Sequence, residues 1–123
     1  MDYTEFKKRI ISKQEELSDL HATSTDENKQ TIGLRALFYS SHLDMTISLI
    51  HDMTNFQCKT EFIIVESMKD YKRCLDKYRL GTTVKENDFL KLGYGDYYSD
   101  NHYVTVWVLF MAPNTILYEK SEK

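Results

Sequence analysis

The 123-residue chain is poor in the residues that punctuate or staple a small protein: one proline, four glycines and two cysteines. With no Pro-, Gly- or Ser-rich tract there is no candidate linker. The length then favours one domain over residues 1–119, with a loose tail at 120–123. Cys58 and Cys74 form no CxxC pair and cannot make a disulfide framework, so free, mostly buried thiols are expected. The longest apolar run, Val106–Ala112, has seven residues. A membrane-spanning helix needs about 20. The charged start, Met1 to Arg9, leads into no apolar core of a signal peptide, and a cytoplasmic location is expected. Nor does one sign of charge dominate. Sixteen Lys and Arg against nineteen Asp and Glu give a net charge of −3, whereas a dedicated nucleic-acid binder usually carries a clear basic excess.

What is present is an ordinary globular composition, 41% hydrophobic and 28% charged, enough for a core without staples. Tyr3, Phe6, Ile10, Leu17 and Leu20 keep helical spacing, and Asp2 with Glu5 has the capping-box pattern, so a helix is predicted from Asp2 to Leu20. After a break at residues 21–23, Ser24 and Glu27 repeat that pattern, and a second helix is predicted to run to Met53. It carries two apolar stripes: Ile32, Ala36, Tyr39, Leu43, Ile47 and Ile50, then Leu34, Phe38, Met45 and Leu49. Two stripes point to a central helix covered on two sides. Gly33 within it points to close packing near its start.

Residues 59–78 allow a short strand at Phe62–Val65 followed by a helix, or one longer helix. The Ser67/Asp70 cap pair favours strand, then helix from Met68 to Leu80, with Gly81 as the stop. Tyr103–Ala112 is rich in Val and aromatics, carries no charge and reads as a strand. Pro113-Asn114 would turn it into a hairpin partner at Thr115–Tyr118. Thr82–Val84 and Phe89–Leu92 are weaker strand candidates. The expected fold is α+β: two to three N-terminal helices packed on a small C-terminal antiparallel sheet.

Catalytic patterns are scarce. His21, His42, His51 and His102 share no metal-ligand spacing with one another or with Cys or carboxylates, so no metal is expected. There is no P-loop, GxGxxG or GxSxG, and no cofactor is expected. Arg35 and His42 stand seven residues apart, hence on one helical face, where a cation and a proton donor could act on a phosphate. The segment Arg35-Ala36-Leu37-Phe38-Tyr39-Ser40-Ser41-His42 resembles the Arg-(four to six residues)-His motif of the HEPN ribonucleases. That resemblance implies metal-independent RNA cleavage by Arg35 and His42 in an all-helical fold acting at a dimer interface. Ala36 departs from the polar residue usual after the arginine, and the β-rich last third departs from the fold. Lys69, Arg73 and Lys77 form a basic stripe with Lys72 and Arg79 nearby. Residues 59–91 hold eight basic against six acidic residues, so the stripe reads as a solvated helix face.

The most unusual segment is Gly93–Tyr103, in which four of eleven residues are tyrosine and most others are Gly, Asp, Ser or Asn. No Lys or Arg occurs from Leu92 to Tyr118. Such a composition suits a binding loop, since tyrosine offers amphipathic area at low entropic cost. Tyr94, Asp96, Tyr97, Tyr98, Asp100 and His102 are the candidate contact residues, with Tyr103 expected to serve the sheet. The aspartates favour a partner protein with a basic surface. The leading expectation is a non-catalytic binding module of inhibitor, immunity or adaptor type, such as those of phages or mobile elements that block host defences. The HEPN-like ribonuclease is the alternative. The strand after that loop is apolar on both faces, which predicts a homodimer with Val106, Trp107 and Val108 near the contact.

Overall fold

A computed structural model describes residues 1–24, 29–54, 59–82, 87–99 and 102–119, with the backbone alone at Tyr97 and Ser99. The first helix, α1 (Tyr3–Thr23), starts where the cap pattern places it: Asp2 Oδ1 accepts the Glu5 N–H at 2.9 Å. Phe6, Ile10 and Leu17 are its buried positions. It runs through the expected break, and Ser24 closes it as the C-cap, donating its own N–H to His21 O and its hydroxyl to Leu20 O. Ser24 therefore ends α1 rather than starting α2 (Gln30–Met53), whose N-cap Lys29 makes no side-chain cap bond. Ser24 also explains Gly33, because a Cβ there would lie 2.9 Å from Ser24 Cβ.

Strand β1 (Lys59–Val65) precedes α3 (Met68–Tyr78), so the strand-then-helix reading is the one observed. Ser67 accepts the Asp70 N–H at 3.1 Å. The stop falls two residues before Gly81: Arg79 takes the left-handed conformation, φ 54°, and the Leu80 N–H returns to Leu75 O at 2.9 Å. The chain continues through β2 (Gly81–Thr82), β3 (Leu90–Ser99) and β4 (His102–Met111) to a 3-10 turn at Asn114–Tyr118.

The four strands form one sheet in the order β1-β4-β3-β2. The fold is α+β, but the sheet is mixed: β1 runs parallel to β4, and the β3–β4 and β2–β3 pairs are antiparallel. This arrangement rules out the expected strand at Thr115–Tyr118. Both edges of β4 are already taken, by β1 and β3, so the segment after Pro113 has no ladder to join and closes on itself.

Helices cover both sheet faces. On one, Phe6 of α1 packs on Phe62 at 4.7 Å between ring centroids, and Phe62 stands in register with Trp107. Tyr39 of α2 donates its hydroxyl to Ala112 O at 2.9 Å and stacks on Phe89. On the other face, Tyr71 of α3 lies 6.2 Å from Phe110. There Gly93 and Gly95 leave room for the helix end: a Cβ on either would meet Leu75 or Leu80 at 2.5 Å.

Two expectations are corrected by these layers. Val106, Trp107 and Val108 have no exposed surface, because α3 covers the face of Val106 and Val108, for which a second chain was invoked, while Trp107 lies on the face covered by α1 and α2. They offer nothing to a dimer contact. Helix α2 is fully covered on one side and only partly on the other, where Phe38 meets the Phe89 ring edge-on at 6.0 Å and Leu49 is half-buried against the core. Ala36, Tyr39, Leu43 and Ile50 are buried, whereas Leu34, Phe38 and Met45 of the second stripe are exposed.

Candidate binding surface on the β3–β4 hairpin

The segment read as a loop is largely strand. Gly93–Ser99 continues β3, and Ser99 pairs with His102. The reason is that β4 provides a complete ladder for it, so the glycines serve helix packing rather than a loop. Asp100 lies outside the described residues, as does the side chain of Tyr97.

Along the face that α1 and α2 cover, the register stacks cross-strand rows of changing character. Ile64, Leu109 and Leu92 form an aliphatic row, followed by Phe62, Trp107 and Tyr94. Next come Thr60, Thr105 and Asp96, and finally the pair Tyr103 and Tyr98. The face thus passes from dry core to open surface within four rows. Tyr94 marks the boundary: its ring centroid is 4.3 Å from that of Trp107 and its hydroxyl donates to Asp96 at 3.1 Å. Burial, then the hydrogen bond and charge of Asp96, push the Tyr94 phenol above its ordinary pKa. Thr105 Oγ1 donates to Asp96 Oδ1 at 2.9 Å, so the carboxylate is held from both strands.

Beyond that row Tyr98 and Tyr103 stand edge to face, with centroids 5.9 Å apart and planes at 77°. They are 65% and 62% exposed, the most open aromatic side chains among the described residues. The structure therefore gathers Tyr94, Asp96 and Tyr98 of the expected set, with Tyr103 of β4 as a further, exposed member. His102 is exposed, but strand alternation sets it on the opposite face from Tyr103. Thr105 was missed. Taking Asp100-Asn101 as a two-residue hairpin turn would have aligned it with Asp96, since both residues favour turns.

Arg35 and His42 are occupied otherwise. The Arg35 guanidinium donates to Leu117 O at 3.1 Å and to Glu119 O, tying the 3-10 turn to α2. The His42 ring lies 4.2 Å from that of Phe38, with Nδ1 2.9 Å from Phe38 O. The likeness to HEPN ribonucleases is thus confined to spacing, on a chain with a four-stranded sheet. Among the described residues no three His, Cys, Asp or Glu converge, and no helix is long and apolar enough to cross a membrane. Compared with known proteins, the chain matches no family model and resembles no curated protein or solved structure significantly.

Proposed function

We propose that the chain is a non-catalytic binding module that acts by occupying the surface of a partner protein, in the manner of an inhibitor, immunity or adaptor protein. The contact surface is the open end of the β3–β4 hairpin: Tyr98 and Tyr103, backed by Asp96 and Tyr94. The observation that carries this reading is the exposed, edge-to-face tyrosine pair on a sheet whose next row is locked by hydrogen bonds. Exposed rings held on a rigid strand pair lose little freedom on binding, the usual property of anchor residues at interfaces. The carboxylate of Asp96 and the absence of Lys and Arg from Leu92 to Tyr118 favour a basic partner surface.

The test is affinity capture from the native host with the intact chain and with the Tyr98→Ser/Tyr103→Ser double variant. A protein retained by the first and absent from the second, at unchanged Tm and weakened by added salt, is the expected result. Equal retention by both, or a double variant that unfolds, would remove the hairpin from consideration.

A further inference from the structure

The sheet leaves one stretch of backbone without a neighbour. The 2.8 Å bond from the Ala112 N–H to Phe89 O fixes the phase of the β3–β4 ladder. From Phe89 onward, every second residue through Gly95 and Tyr97 bonds to β4. The residues between them, Tyr94, Asp96 and Tyr98 among them, turn N–H and C=O to the outer edge. Strand β2 takes up that edge only at Gly81–Thr82, opposite Tyr94 and Gly93. Beyond Tyr94 no described strand lies beside β3. The N–H and C=O groups of Asp96 and Tyr98, repeating about 6.8 Å apart along the strand, therefore have no backbone partner among the described residues. At the sheet's other edge, Met1 donates to Phe62 O at 3.2 Å and accepts the Phe62 N–H at 3.3 Å. The β3 edge from Gly95 to Ser99 also lacks lysine and proline, the residues that commonly guard free edges.

Donors and acceptors at this spacing are matched by another extended polypeptide. Antiparallel pairing continues the direction of β2 and is the stronger of the two ladders. In such a pair the residue directly opposite Asp96 lies on the same face as its carboxylate, and the residue opposite Tyr98 lies beside the exposed ring. A cation suits the first position and an apolar side chain the second. A second copy of this chain would bring no Lys or Arg from its own hairpin, since none occurs from Leu92 to Tyr118. We infer that the free edge of β3 docks an extended segment of a partner protein as an added antiparallel strand, with Lys or Arg opposite Asp96 and an apolar residue opposite Tyr98. This rests on the hairpin reading above and supplies its mode: backbone bonds attach the segment, while Asp96, Tyr98 and Tyr103 choose its sequence.

Hydrogen exchange of the full chain, followed by nuclear magnetic resonance, reads the edge before any partner is added. The Asp96 and Tyr98 amides are expected to exchange at least about tenfold faster than those of Gly95 and Tyr97, which bond to β4. The probe is the peptide acetyl-Thr-Thr-Val-Thr-Lys-Thr-amide at millimolar concentration, which sets Val against Tyr98 and Lys against Asp96. It slows both amides and shifts their signals. The same peptide N-methylated at Val and Lys lacks the two N–H groups that face the edge and moves neither signal. A peptide with Glu in place of Lys binds at least about fivefold more weakly, and Asp96→Asn abolishes that preference. Edge amides as slow as their neighbours in the free chain, a probe that moves neither signal, or equal effects of the plain and methylated peptides overturn the inference. So does protection that grows with protein concentration alone, which would put a second copy on the edge. The Tyr98→Ser/Tyr103→Ser chain keeps the same backbone and separates the two proposals. Edge amides slowed by the probe in that variant retain the edge without the tyrosines. A partner captured through the tyrosines while the edge amides stay fast retains the hairpin surface and removes the added strand.

Discussion

Replacing Tyr39 by Phe removes one oxygen from the centre of the molecule and makes two linked outcomes measurable. The side chain is fully buried, its ring stacks on Phe89 at 5.3 Å and 18°, and Lys13 Nζ lies 5.6 Å from its centroid. Phenylalanine keeps that packing. What it loses is the 2.9 Å bond to Ala112 O. A buried carbonyl left without its donor costs about 1–2 kcal/mol. For a chain of 123 residues the unfolding entropy is about 0.26 kcal/mol/K, so Tm should fall by about 4–8 °C. The second outcome is a pH dependence. Burial, reinforced by the charges of Glu66 and Glu16, pushes the Tyr39 phenol well above its ordinary value of 10.0. The folded chain keeps this proton where the unfolded chain releases it. The stability from the neutral phenol is therefore fully present below pH 10 and falls as pH rises above it, by about 1.4 kcal/mol per pH unit. Tyr39→Phe has no such proton, while Tyr3 and Tyr94, also raised by burial, affect both proteins alike. The stability gap between wild type and variant should therefore close between about pH 10 and about pH 11. Urea unfolding at pH 8, 10 and 11 measures both outcomes. Parallel curves, or a gap at pH 8 below about 0.3 kcal/mol, would refute the bond to Ala112 and the buried neutral phenol together.

The layers make further predictions. Gly93→Val drives a side chain into Leu75 and should cost about 2–3 kcal/mol in chemical denaturation, and pairing it with Leu75→Ala should recover part of that loss. Arg35→Ala frees the carbonyls of Leu117 and Glu119 and should cost about 1.5–3 kcal/mol. Added metal-free RNA cleavage should be undetectable in both the wild type and that variant; activity lost with Arg35 would restore the ribonuclease reading. Val106→Asp buries a charge under α3 and should cost about 4 kcal/mol or more, so far-ultraviolet dichroism falls; a folded variant would place Val106 at a surface.

Local signals read well where the chemistry is local. The side chains of Asp2 and Ser67 reach a backbone N–H three residues on, and both helix starts stand where those residues are. The alternation of Tyr103–Ala112 was a strand from its composition alone, and the first stripe of α2 is its core face. The candidate site was half legible. Tyrosine density marked the segment, and that much needs no neighbours. Whether it was loop or strand, and which of its tyrosines face out, depended on the register with β4, for which the segment itself offers only the turn preference of Asp100-Asn101.

By itself the amino-acid sequence determined that the chain forms helices and then a strand apolar on both faces, because caps and periodicity act over a few residues. It also determined that two apolar stripes run along α2. Tertiary structure alone decided which surfaces meet. The apolar faces of β4 are closed by α1, α2 and α3, reached through pairings 45 residues apart between β1 and β4, such as Phe62 with Trp107. Once those faces were filled, the outer stripe of α2 was left only partly covered, with Phe38 against Phe89 and Leu49 half-buried while Leu34 and Met45 stay exposed. Burial is a competition among all apolar surfaces for a limited number of neighbours, and periodicity shows who competes but not who wins.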